Sequence, residues 1–86
     1  MITNKKVVEC FLHKIKGNNV NLRSTGRKLY SYSTVIAQWY DSTLIGNSTK
    51  YSVSTSKHMS YIKNYVDTWT TRNVPRDTED LIPYLN

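Results

Sequence analysis

Residues 29–40 run through Leu, Tyr, Ser, Thr, Val, Ile, Ala, Gln and Trp without a glycine or a proline. β-Branched and aromatic side chains suit a pleated, half-buried surface, so this run predicts the strongest strand of the molecule and makes a sheet unavoidable. Alternation would set Leu29, Ser31, Ser33, Val35, Ala37 and Trp39 on one face. Tyr30, Tyr32, Thr34, Ile36, Gln38 and Tyr40 would take the other. Before this run, residues 20–24 alternate as a short strand, and Thr25, Gly26, Arg27 and Lys28 supply a turn. After it, Asp41 and Ser42 read as a tight hairpin connection. Residues 43–53 then return as a third strand, with a bulge at Gly46 and Asn47.

Helical patterns flank the strands. Residues 4–16 place Val7, Val8, Phe11, Leu12 and Ile15 on one face behind a Thr3 cap, and Gly17 closes the helix. Residues 56–69 carry Met59, Ile62, Val66 and Trp69 on a single stripe. The expected fold is a small single α+β domain of α-β-β-β-α order over residues 1–69. It would be a three-stranded antiparallel sheet with two helices packed on one face, and Val20, Leu22, Val35 and Val53 would complete the core. Residues 70–86 follow as an acidic C-terminal extension, either a short helix ending before Pro83 or a tail folded over the body.

Composition narrows the functions open to such a domain. Residues 1–66 hold ten Lys or Arg against Glu9 and Asp41, a net of +8, whereas residues 67–86 carry a net of −2. A basic body of this size attracts polyanions, and nucleic acid, RNA or DNA, is the commonest in the cytosol. No run is long enough to span a membrane, and charges interrupt residues 1–17 where a signal peptide would need an apolar stretch. The single Cys10 excludes an internal disulfide and any multi-cysteine metal cluster, which suits a reducing, cytoplasmic setting. His13 and His58 lie on different helices in no recognisable ligand array, and Glu9, four residues before His13, reads as its solvated surface partner, so no metal or other cofactor is expected. Ser54 and Ser56 lie beside His58, but no glycine elbow presents them and no carboxylate orients the imidazole. The chain does not read as an enzyme.

Residues 47–58 read as a strand passing through a hydroxyl-rich cap into a helix that opens with Lys57 and His58. Cations are disfavoured at that end of a helix, which points to an anion such as phosphate held there. Thr55, Ser56, Lys57 and His58 would make one such contact, with Lys63 farther along the helix. Arg23, Arg27, Lys28 and Lys50 would make a second if the corresponding ends of the sheet lie together. Tyr30, Tyr32 and Tyr40 would stack bases if exposed. With Trp39, the same residues would equally serve as anchors for a protein partner.

The α-β-β-β-α order is similar to that of double-stranded RNA-binding domains, which implies contact with RNA shape and phosphates. Residues 30–37 (Tyr-Ser-Tyr-Ser-Thr-Val-Ile-Ala) and 49–58 (Thr-Lys-Tyr-Ser-Val-Ser-Thr-Ser-Lys-His) also resemble a group of short bacteriophage and mobile-element proteins. That likeness covers roughly residues 18–66. It implies an accessory protein in the cytoplasm of a host bacterium, acting on nucleic acid. The rival expectation is an inhibitor of an acidic host protein or ribonucleoprotein, such as an anti-CRISPR or other anti-defence factor.

Overall fold

The long strand expected over residues 29–40 is broken in two. At about 3.3 Å per residue it would run roughly 40 Å, whereas the longest dimension of the molecule is 36 Å. The computed structural model describes residues 2–85. Met1 and Asn86, the outer ends of the two segments predicted from sequence, lie outside the described residues. In it the run becomes a hairpin, β3 (Lys28–Ser31) and β4 (Thr34–Tyr40), turning at Tyr32 and Ser33. Tyr32 takes a left-handed φ of 56° there, and its N–H donates to the carbonyl of Asn21 at 2.8 Å.

Around this hairpin stand α1 (Asn4–Leu12), β1 (Lys16–Asn18), β2 (Leu22–Thr25), β5 (Thr43–Gly46), α2 (Val53–Ser60) and β6 (Thr68–Trp69). Short 3-10 turns occupy Lys63–Tyr65 and Ile82–Tyr84. The six strands form one sheet in chain order, antiparallel from β1 to β5 and parallel between β5 and β6. The α+β class with two helices and a sheet is as expected. The three-stranded antiparallel sheet is not: splitting the long strand adds one member, and β1 and β6 extend the two edges.

Both helices are shorter than their patterns suggest. Thr3 caps α1, its hydroxyl accepting from the N–H of Lys6, but the helix stops at Leu12 and Lys14 turns left-handed at φ 62°. Gly17 therefore ends no helix; it lies in β1, where a Cβ would meet Sγ of Cys10 at 2.9 Å. The missing side chain lets β1 lie against α1. Helix α2 begins three residues before the predicted start, capped by Ser52, and ends at Ser60. Beyond it the expected helical stripe gives way to β6, which pairs Thr68 with Ile45 and Trp69 with Gly46.

The sheet is packed on two sides. Val7, Val8 and Phe11 of α1 meet Leu22, Leu29, Ile36, Ala37 and Leu44 on the first face, where Ile62 joins them after α2. On the second face Tyr30, Val35 and Ile45 meet Val74 and Leu81 of the C-terminal segment. A bulge makes this division possible. Leu29 pairs with Ala37 and Tyr30 with Val35, leaving Ile36 as an extra residue that joins Ala37 on the first face. The strict alternation predicted for residues 29–40 fails at that point. Val20 and Val53, expected in the core, are among the most exposed apolar residues, because Val20 lies in the connection between β1 and β2 and Val53 opens α2 beyond the strands.

Candidate nucleic-acid interface

Much of the hydroxyl-rich segment at residues 47–58 is engaged in hydrogen bonds within the fold. Asn47 is buried; its amide donates to the carbonyl of Val35 at 2.9 Å and to the Tyr51 hydroxyl at 3.0 Å, and its oxygen accepts from the N–H of Thr49. Ser48 bonds Thr70 through backbone and hydroxyl, Thr49 accepts from the N–H of Val74, and the Tyr51 hydroxyl donates to the Val74 carbonyl. These polar side chains tie the chain leaving β5 to the segment after β6.

Lys57 and His58 occupy the last turn of α2, not its first. A cation there is favoured by the helix dipole, so Lys57 requires no bound anion to explain it. Thr55 and His58 are buried. Ser31 Oγ lies 2.7 Å from Nδ1 of His58 and 3.4 Å from Oγ1 of Thr55, and the ring of Tyr32 rests against the imidazole at 5.9 Å. Burial, and then the charge of Lys57, push the His58 pKa below its ordinary 6.5, which keeps the ring neutral. The pair fastens α2 to β3. Ser56 and Lys63 are exposed, the latter in the 3-10 turn after α2.

The cations of the sheet tell a different story. Register sets Lys16 opposite Thr25, Asn18 opposite Arg23, and Arg23 opposite Tyr30. Tyr30 belongs to the second face, so Arg23, Asn18, Thr25 and Lys16 lie on that face too, as does Lys28 two residues before Tyr30. Their neighbours Leu22, Ser24 and Leu29 turn to the first face and are buried under α1. The C-terminal segment covers the second face over β4 and β5 but leaves it open over β1 and β2, where Lys16, Asn18, Arg23 and Thr25 are exposed. A hollow of about 380 Å³ lies here, lined by Lys16, Asn18, Arg23 and Thr25 with Gly17 and Ser24.

Among the described residues none of these cations forms an ion pair within 4 Å. Among the described residues the one carboxylate ion pair within 4 Å joins Lys6 to Glu9, on α1. The guanidinium of Arg23 lies over the ring of Tyr30 at 4.1 Å. Asp80 stands at the margin, its pKa lowered first by the hydrogen bond from Gln38, then by the N–H of Ile82, and by the charges of Lys28 and Arg27.

The basic face continues around the end of the sheet. Lys14, Gly26 and Asp41 adopt positive φ of 62°, 92° and 54° where three chain reversals meet. Lys14 Nζ donates to the Asp41 carbonyl at 3.3 Å and sits 4.8 Å from the centre of the Trp39 ring. Gly26 is required there, since its φ is left-handed and a Cβ would lie 2.9 Å from the Lys14 carbonyl oxygen. With Arg27 these residues line a second hollow of about 340 Å³.

Of the four cations predicted to act together, Arg23, Arg27 and Lys28 are adjacent. Lys50 is not, because β5 runs away from the Arg27 end and Lys50 follows its far end. Lys16 and Lys14 were missed; Lys, Gly and Asn are poor strand formers, so no sequence signal marks β1. The four aromatics do not share a surface. Tyr30 is buried on the second face, Trp39 packs on the first and donates to the Phe11 carbonyl, and Tyr32 and Tyr40 project at opposite ends of β4.

The chain belongs to a family of unknown function (DUF8033), whose model matches residues 2–79. No curated protein and no solved structure matches it. No helix among the described residues is long and apolar enough to cross a membrane.

Proposed function

We propose that this DUF8033 member is a small, basic, non-enzymatic protein that binds nucleic acid through its phosphates, as an accessory factor of a phage or mobile element. One observation carries the reading: strand register gathers Lys16, Arg23 and Lys28 on one sheet face that is open over β1 and β2, and among the described residues no carboxylate lies within 4 Å of any of them. Unpaired cations held on a rigid surface are what phosphate recognition needs, and Asn18 and Thr25 between them add neutral hydrogen-bonding groups. Arg27 and Lys14 extend the track around the sheet end. The setting rests on the resemblance of residues 30–37 and 49–58 to phage and mobile-element proteins.

The location is tested by titrating isotopically labelled protein with a short nucleic-acid duplex and following backbone amide resonances. Shifts should concentrate in β1, β2 and the Gly26–Arg27 turn. Shifts centred on α2 and Lys57, with β1 and β2 silent, would contradict the assignment.

A further inference from the structure

Building on the phosphate-binding reading, we infer that the open face takes the sugar–phosphate backbone of a duplex, and that Tyr30 serves there as the seat of Arg23, not as a platform for a base. Proteins that hold single strands pair a basic groove with exposed aromatic rings on which successive bases stack. Over β1, β2 and β3 the second face has one aromatic, Tyr30, and it is 8% exposed with a guanidinium over its ring. Tyr32 and Tyr40 are 55% and 50% exposed, but Tyr32 lies in the turn after β3 and Tyr40 ends β4, outside the three strands that carry the cations. A base laid over β1, β2 and β3 would find no free ring.

The cations suit a partner whose phosphates are already fixed in space. Lys16 and Lys28 lie in one row across the sheet, two strand spacings or roughly 10 Å apart, and Arg23 stands one pleat, roughly 7 Å, along the neighbouring strand. That triangle is as rigid as the ladder carrying it. A duplex can meet it without being ordered first, whereas a flexible single strand must give up conformational freedom to do so. Seating over the Tyr30 ring at 4.1 Å restrains Arg23, and a guanidinium so held keeps its N–H edge for the two parallel hydrogen bonds with which it binds a phosphate. Tyr30 is therefore a positioning residue for Arg23.

Duplexes and single strands of equal length, in RNA and in DNA, would be titrated against wild type, Tyr30→Leu and Arg23→Lys by fluorescence anisotropy. Wild type should bind duplex several-fold more tightly than either single strand. Both variants should lose duplex affinity several-fold while the slope of affinity against salt stays unchanged, because neither alters the charge. Arg23→Lys keeps the test decisive if Tyr30→Leu fails to fold. Single strands bound as tightly as duplex, or a Tyr30→Leu loss confined to single strands, would overturn the inference and leave the phosphate reading standing. No binding to any of the four would overturn both.

Discussion

His58 is neutral because its ring is desolvated in a hydrogen-bonded cluster with Ser31 and Thr55, beside the charge of Lys57. The sign of the consequence is fixed. Its folded pKa lies below the unfolded value, so the stabilisation is full above about 6.5 and is lost as pH falls through the folded pKa. Urea unfolding should show stability declining as pH is lowered from neutrality, and His58→Gln should flatten that decline. A pH dependence equal in both proteins would deny His58 this role. Asn47 makes the other residue-level claim. Its buried amide satisfies three partners at once, so Asn47→Ala should cost about 1–3 kcal/mol in the same assay. These two residues also show why the bonding role of polar side chains was not legible in the sequence. Polar side chains in a hydroxyl-rich run suggested a binding surface, but without knowing that residues 70–74 return alongside it, their bonding partners were invisible.

At the scale of elements, the buried side chain of Gln38 fastens residues 80 and 81 of the C-terminal segment. Gln38 accepts from the N–H of Leu81 at 2.8 Å and donates to Asp80 at 2.9 Å, while Leu81 enters the second core. Gln38→Leu should leave the Leu81 amide unsatisfied, speed its hydrogen exchange and destabilise the protein by about 1–3 kcal/mol. The same change should raise the Asp80 pKa toward 3.8, readable by carboxyl titration in NMR, since the Gln38 hydrogen bond is the main cause of its depression. Local signals served well where local chemistry decides: the Thr3 cap of α1, the Gly26 turn and the Asp41–Ser42 connection were legible. The hairpin at Tyr32 was not, because no glycine or asparagine marks it and a tyrosine adopts the left-handed turn. Nor was β6, whose two residues become a strand by pairing beside β5 and not by any pattern of their own. Misplacing the start of α2 by three residues moved Lys57 from the last turn of a helix to its first, and with it the expected anion site. Lys57→Glu should accordingly leave nucleic-acid affinity within about twofold of wild type, the small effect of a distant charge in physiological salt.

For the molecule as a whole, a net charge of +6 would favour association with any polyanion, so charge alone is a weak argument. The distribution is the stronger one. The acidic C-terminal residues stand beside the second face over β4 and β5, with Asp80 reaching the margin at Lys28, and leave Lys16 and Arg23 open. If those residues and Lys28 each neutralise one phosphate, together they should contribute about −2.7 to the slope of the logarithm of affinity for duplex DNA against the logarithm of salt concentration. The decisive measurement is that slope for wild type and for the triple variant Lys16→Gln, Arg23→Gln, Lys28→Gln. The account predicts a steep wild-type slope, and a triple variant that binds far more weakly with a slope shallower by about 2.7. A triple variant that keeps wild-type affinity and slope would show that the phosphates are held elsewhere, and the open sheet face would lose its assignment.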